Sequence, residues 1–128
     1  MTAYKGAAPL LTNPTYIDAA AGILATEGYH AGLLRTALFA KGIEMPRIIT
    51  SANQLSDARD SLDGADERDQ GISIDGQANL VPADANGIAF SRSTGQVLNI
   101  VYLNAASTGS GGFFPVGVNG AFVTSGPA

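Results

Sequence analysis

The chain has 128 residues, 45% of them hydrophobic and 14% charged, with a formal net charge of −4 at pH 7 and no cysteine. That length suits one modest globular domain, and the composition is not that of a disordered chain. It excludes disulfides, thiolate zinc sites, iron–sulfur clusters and cysteine nucleophiles, and its seven basic residues are scattered along the sequence, which leaves nucleic-acid binding without an electrostatic footprint.

No apolar run approaches the roughly 20 residues that span a bilayer. The opening MTAYKGAAPLL is too short and too proline-broken for a signal peptide, so the chain by itself reads as cytoplasmic. Its first ten residues predict a short helix at about 2–11, with Ala3, Ala7 and Leu10 on one face and Tyr4 and Leu11 beside it. That helix has no convincing cap or acidic first turn. Thr12-Asn13-Pro14 then breaks the chain. Asn13 is a good N-cap, and Pro14 suits the first position of a new helix.

This second helix, expected over about 14–41, is the longest helical run. Asp18 and Lys41 lie near the ends of the dipole that favour them, and Gly42 is a natural residue just past the end. Ile17, Ala20, Ala21, Leu24, Ala31, Leu34 and Leu38 recur at the spacing of one apolar face. Gly22, Gly28 and Gly32 each cost about 1 kcal/mol relative to alanine, which fits a face that a neighbouring helix approaches closely. Pro46 opens a third helix to about residue 62, with Ile48, Ala52, Leu55, Arg59 and Leu62 as its stripe and Ile49 alongside. A short link between the second and third helices predicts an antiparallel hairpin.

From Asp63 the composition turns to glycine, asparagine, aspartate and proline. DGADERDQG lacks the alternating Asp/Asn register of a calcium loop and reads as a solvated surface loop. Ser93-Thr-Gly-Gln96 fits a capping box before an apolar run, predicting a short buried helix over about 94–103. FFPVGVNGAFV, with Asn119-Gly120 between two apolar arms, predicts a β-hairpin over about 113–123. The expected fold is thus mainly α: a helical part over 1–63 and an irregular C-terminal extension over 64–128 packed on it.

Chemistry is sparse. The chain has one histidine, and it lacks the serine-hydrolase elbow, the Walker loop, the dinucleotide fingerprint and the zincin helix. What remains is Glu27-Gly-Tyr-His30. Residues three apart on a helix converge, so one carboxylate and one imidazole present two ligands to a metal. Glu27 falls on the apolar face, where an unpaired carboxylate costs several kcal/mol if buried. The competing reading is a half-buried, hydrogen-bonded Glu–His pair. Tyr4, Tyr16, Tyr29 and Tyr102 read as packing residues.

Taken in order, TAYKGAAPLL, AAAGILATEGYHAGLLRTALFAKG, SDARDSLDG, DANGIAFSRSTGQVLNIVYLN and GGFFPVGVNG resemble the ferritin-like domain family that includes the desiccation-related proteins. The resemblance implies part of a ferritin-like four-helix bundle followed by an irregular extension. It also implies that two helices bearing a Glu and a Glu-x-x-His precede this region, with a further Glu just before Thr2. The chain would then be the C-terminal half of such a protein, whose full-length parent could be exported. On that analogy Glu27 and His30 match the metal-ligand pair of the fourth helix, with iron or manganese as the metal, in a site that this chain leaves incomplete. Three readings follow. The first is a non-enzymatic structural or protective protein of the desiccation and stress kind. The second is a metal-binding protein completed by missing helices or by a homodimer that covers the exposed apolar helix face. The third is a binding module built on Phe113, Phe114 and Phe122, otherwise expected to cover the bundle.

Overall fold

A computed structural model describes residues 1–64 and 67–126. Its element order is α1 (Thr2–Ala7), a 3-10 turn (Ala8–Leu10), α2 (Pro14–Glu44), α3 (Arg47–Asp63), β1 (Ser73–Ile74), β2 (Gln77–Ala78) and α4 (Thr94–Tyr102). The protein is mainly helical with one small antiparallel sheet. Residues 65 and 66 of the acidic loop expected at 63–71 lie outside the described residues.

The first helix is shorter than the sequence pattern suggests. Pro9 has no N–H to continue the α-helical ladder, so the chain tightens into a 3-10 turn, closed by Leu11 N–H donating to Ala8 O at 3.3 Å. At the start of α2 the Asn13 side chain accepts from Thr15 N–H at 2.9 Å, with Pro14 in the first turn. The far end differs from expectation. Gly42 is not the residue past the end: α2 runs on to Glu44, Met45 N–H bonds to Lys41 O at 3.1 Å, and Pro46 stops the helix. Gly42 is buried because α3 turns back over it. A Cβ there would lie 2.3 Å from Cγ1 of Ile49. Gly22 and Gly32, by contrast, have open space where a Cβ would go, and Gly28 meets only the Met1 sulfur at 3.7 Å. The close helix approach expected along these three glycines is therefore made at Gly42 instead.

α3 half-buries Ile48, Ala52 and Leu62 of the expected stripe, but its most buried residues lie on a polar flank beside it. Leu55 is 71% exposed, whereas Ser56 and Asp63 are buried and Ile49, Ala52, Asn53 and Asp60 are half-buried. The spacing 49, 52/53, 56, 60, 63 is still one helical face, but a polar one. Its partners explain why. The Asn53 amide donates to Ser73 O at 3.1 Å, and Asp60 Oδ1 accepts from the backbone N–H groups of Arg68 and Asp69 at 3.0 and 3.1 Å. The extension offers backbone polar groups, so the helix face that meets it must supply hydrogen bonds rather than methyl groups.

The sheet lies elsewhere than expected. Ser73 pairs with Ala78 and Ile74 with Gln77, around Asp75-Gly76. Both turn residues have positive φ, 50° and 76°, as a two-residue type I′ hairpin requires. Over 113–123 there are no strands. Gly120 has φ 120° but Asn119 does not join it at positive φ, so the primed turn never forms. An isolated bridge between Gly111 and Phe114 is the local pairing, and the tail instead follows α4: Tyr102 Oη donates to Val123 O at 2.9 Å, and Ser125 N–H to Thr108 O at 2.8 Å. α4 itself forms as expected, with the reciprocal Ser93–Gln96 capping box and the first residue beyond the helix, Leu103, left-handed.

The interior is polar to an unusual degree. Among the described residues the buried apolar side chains are Ile72, Leu98 and Tyr102, while Asp63, Asp69, Arg92, Gln96 and Asn99 are buried beside them. Tyr102 is a packing residue, but Tyr16 and Tyr29 are exposed. Phe113, Phe114 and Phe122 are 73%, 42% and 55% exposed, and Phe122 lines a depression with Tyr4 and Ala7 of α1 and Leu98 of α4.

Candidate functional site

α2 is 31 residues long, about 46 Å at the helical rise, and it touches α1 and α3 along only part of its circumference. Ala20, Leu24, Glu27 and Ala31 are half-buried, but Ile17, Leu34 and Leu38 of the expected apolar face are exposed. The packed side is rotated toward Gly28, Arg35, Phe39 and Gly42. The sequence pattern marks an apolar face correctly, but among the described residues no element lies over most of it.

Glu27 and His30 stand on the border of that face. Both line one open surface depression of about 480 Å³, with Gly22, Ile23 and Thr26 around them. Glu27 is the more sheltered of the two. Its carboxylate forms an ion pair with the amino terminus at Met1, the two side chains being 39% and 30% exposed. His30 is exposed. The expectation of a Glu–His hydrogen bond is therefore not met, since the ammonium group takes the carboxylate instead. Tyr16, Ile23, Leu34 and Leu38 fall on the same side as this pair by helical spacing, and all are exposed. Tyr29, the central residue of α2, is turned away from this side by the same spacing.

Among the described residues no group of three or more His, Asp and Glu side chains could hold a metal ion. A dinuclear carboxylate site wants about four carboxylates and two imidazoles. One copy of this chain offers one of each at Glu27 and His30, so its own residues do not fit such a site.

A second convergence was not visible in the sequence. Arg35 on α2, Arg59 on α3, and Arg68 and Arg92 in the extension line a central cavity of about 370 Å³, together with Glu27 and Asp69. Arg92 is the buried hub of this region. Its Nε pairs with Asp63, one Nη donates to Asp69 at 2.5 Å, and the other donates to the Thr2 hydroxyl. Arg59 pairs with the other oxygen of Asp69. Arg35 bonds to carbonyls alone: Nε to Asn79 O at 3.0 Å, Nη1 to Gln70 O at 3.1 Å, and Nη2 to Gly71 O and Asn79 O. Burial, and after it the charge of Arg59, lower the Arg35 pKa from its ordinary value, while Asp69 raises it. These arginines lie 9 to 24 residues apart in the sequence, so no linear motif announces them.

A family model described as a ferritin-like domain matches residues 1–40. That stretch holds α1, the 3-10 turn and α2 as far as Ala40, with Glu27 and His30 inside it. No curated protein and no solved structure matches the chain.

Proposed function

We propose that the chain is a ferritin-like structural protein of the desiccation-related kind, without enzymatic activity of its own, and that its α2 face pairs with a second copy of itself. What carries the reading is the exposed apolar face of α2 within the region similar to a ferritin-like domain. A helix bearing Tyr16, Ile23, Leu34 and Leu38 in water leaves apolar surface that burial would stabilise at about 25 cal/mol per Å². A four-helix bundle buries such a stripe against its neighbours, and two copies related by a two-fold axis supply matching stripes. The division into a helical part over 1–63 and an extension over 64–128 belongs to this proposal, the extension serving as the clasp that holds the helices of each copy.

Sedimentation or light scattering of the purified chain tests the pairing. A dimer is expected, dissociated by Leu34→Glu or Ile23→Glu. A well-behaved wild-type monomer at tens of micromolar overturns it. The protective role is tested separately, by drying a labile reporter enzyme with and without the chain. Recovery no better than with an equal mass of albumin counts against that role.

A second reading has one specific observation in its favour. Glu27 and His30 flank the centre of α2. An antiparallel pairing about that centre sets two Glu-x-x-His pairs opposite each other, giving two carboxylates and two imidazoles. Loading the chain with Fe(II), Mn(II) or Zn(II) and measuring bound metal decides it. Stoichiometric metal per dimer, lost in Glu27→Ala and in His30→Ala, is the expected result of this reading. Metal retained equally in both variants places any binding elsewhere.

A further inference from the structure

Four of the chain's five arginines converge on one cavity in a protein whose net charge is −4. Among the described residues, the carboxylates of this region form their ion pairs with groups other than Arg35. Arg92 and Arg59 are answered by Asp63 and Asp69, and Glu27 is answered by the amino terminus. Arg35 bonds to carbonyl dipoles, which occupy most of its N–H groups without cancelling its charge, and Asp69 offsets that charge without an ion pair to it. Arg59 shares the carboxylate of Asp69 with Arg92. It lines the same cavity as Arg35, its side chain is 62% exposed, and it bonds to Asp69 through one Nη. Pro82, Phe90 and Ile100 form the apolar part of the wall. Apolar lining lowers the local dielectric and strengthens any charge interaction made inside.

We propose that this central cavity binds a small, multiply charged oxyanion, held between the guanidinium groups of Arg35 and Arg59. The planar fork of Arg59 matches phosphate and carboxylate oxygens equally well, Arg35 contributes chiefly its charge, and about 370 Å³ accommodates such an ion with ordered water. An anion there offsets the Arg35–Arg59 repulsion. It also ties α2 and α3 to the extension, because Arg35 already clasps residues 70, 71 and 79. Glu27 lines this cavity as well as the depression beside His30, but the anion is held by Arg35 and Arg59 and does not depend on the pairing of copies.

The test is calorimetric titration of the wild-type chain with inorganic phosphate and, separately, with malonate, in a weakly coordinating buffer at constant ionic strength. Saturable binding at one site per chain is expected. Phosphate and malonate distinguish a tetrahedral oxyanion from a dicarboxylate by whichever binds more tightly. Arg59→Gln is the decisive variant, since its exposed side chain makes it tolerable to the fold, and affinity should fall about tenfold or more. Arg59→Lys should recover part of that loss. Arg47→Gln, on the same helix but outside the cavity lining, should bind as the wild type does. The proposal is overturned if neither anion binds saturably, or if Arg59→Gln and Arg47→Gln bind alike.

Discussion

Arg92 is the residue whose loss the fold should feel most. Its side chain is 5% exposed and reaches three elements at once: Asp63 at the end of α3, Asp69 in the loop beyond it, and Thr2 in α1. Arg92→Met keeps most of the volume and removes the charge. Asp69 would retain Arg59. Asp63 would not be so placed, since its Oδ2 depends on Arg92 and its buried Oδ1 has no hydrogen-bond partner. At 1% exposure it would be a carboxylate without a counter-charge. Breaking a buried pair from one side costs about 3–5 kcal/mol, a large share of the 5–15 kcal/mol, roughly, that holds a domain of this size. With a urea m-value of about 1.5 kcal/mol/M, the midpoint should fall by roughly 2–3 M. The decisive comparison is a double-mutant cycle by urea denaturation, adding Asp63→Leu. Removing both charges should recover at least half of the loss, because the penalty lies in the orphaned carboxylate rather than in the absent attraction. If Arg92→Met costs under about 1 kcal/mol, or if the two substitutions simply add, the buried pair is not the clasp that this reasoning makes it.

Other changes should sort by what surrounds each position. Gly42→Ala gains helix propensity but drives a methyl group against Ile49, so a net loss of about 1–2 kcal/mol is expected by thermal melting. Leu103 holds a left-handed conformation at φ 53° just past α4, and Leu103→Asn should stabilise by about 0.5–1 kcal/mol on the same assay. The Asp84 carboxylate accepts hydrogen bonds from the backbone N–H groups of Ile88, first in importance, and Asn86, which hold its pKa below the usual carboxylate range. Because the folded value lies below the unfolded one, the stabilisation is complete above the unfolded value and fades as pH falls through the folded one. Amide exchange should therefore show Asn86 and Ile88 protected at mildly acidic pH and released below it, with no such acid step in Asp84→Asn.

What the sequence disclosed depended on whether the signal was local. Asn13-Pro14, Pro46 and the Ser93–Gln96 box announce helix ends through bonds made within a few residues, and the helices formed close to those marks. The hairpin signal is equally local, but two dipeptides carry it and only one forms the turn. Asp75-Gly76 carries the primed turn, with Ile74 and Gln77 paired across it, while Asn119-Gly120 lies in a tail held by α4 and by Thr108 rather than by its own arms. Facing was harder to read. α3 turns Asn53, Ser56, Asp60 and Asp63 inward because its partner is a loop with free N–H and carbonyl groups, and an apolar-periodicity rule assumes a partner that is apolar. The arginine cavity is non-local altogether. Its four side chains come from three separate segments, and only the folded chain gathers them.

The face of α2 ties these observations together, and a glycine on it offers a direct check. Gly22 lines the depression that holds Glu27 and His30, and a Cβ there would meet nothing within 4 Å. In an isolated chain Gly22→Ala is therefore a plain gain of about 1 kcal/mol in helix propensity, and Gly32→Ala, equally open, should match it. If a second helix packs closely over the centre of α2, the two positions part company. The methyl group at residue 22 then presses on the partner and weakens association, even as it stiffens each copy. Measured at low and high protein concentration, the melting temperature of Gly22→Ala should rise above wild type in the dilute sample and lose that advantage in the concentrated one. An equal gain at every concentration would mean that the face stays open in solution. The apolar stripe of α2 would then need an explanation other than pairing.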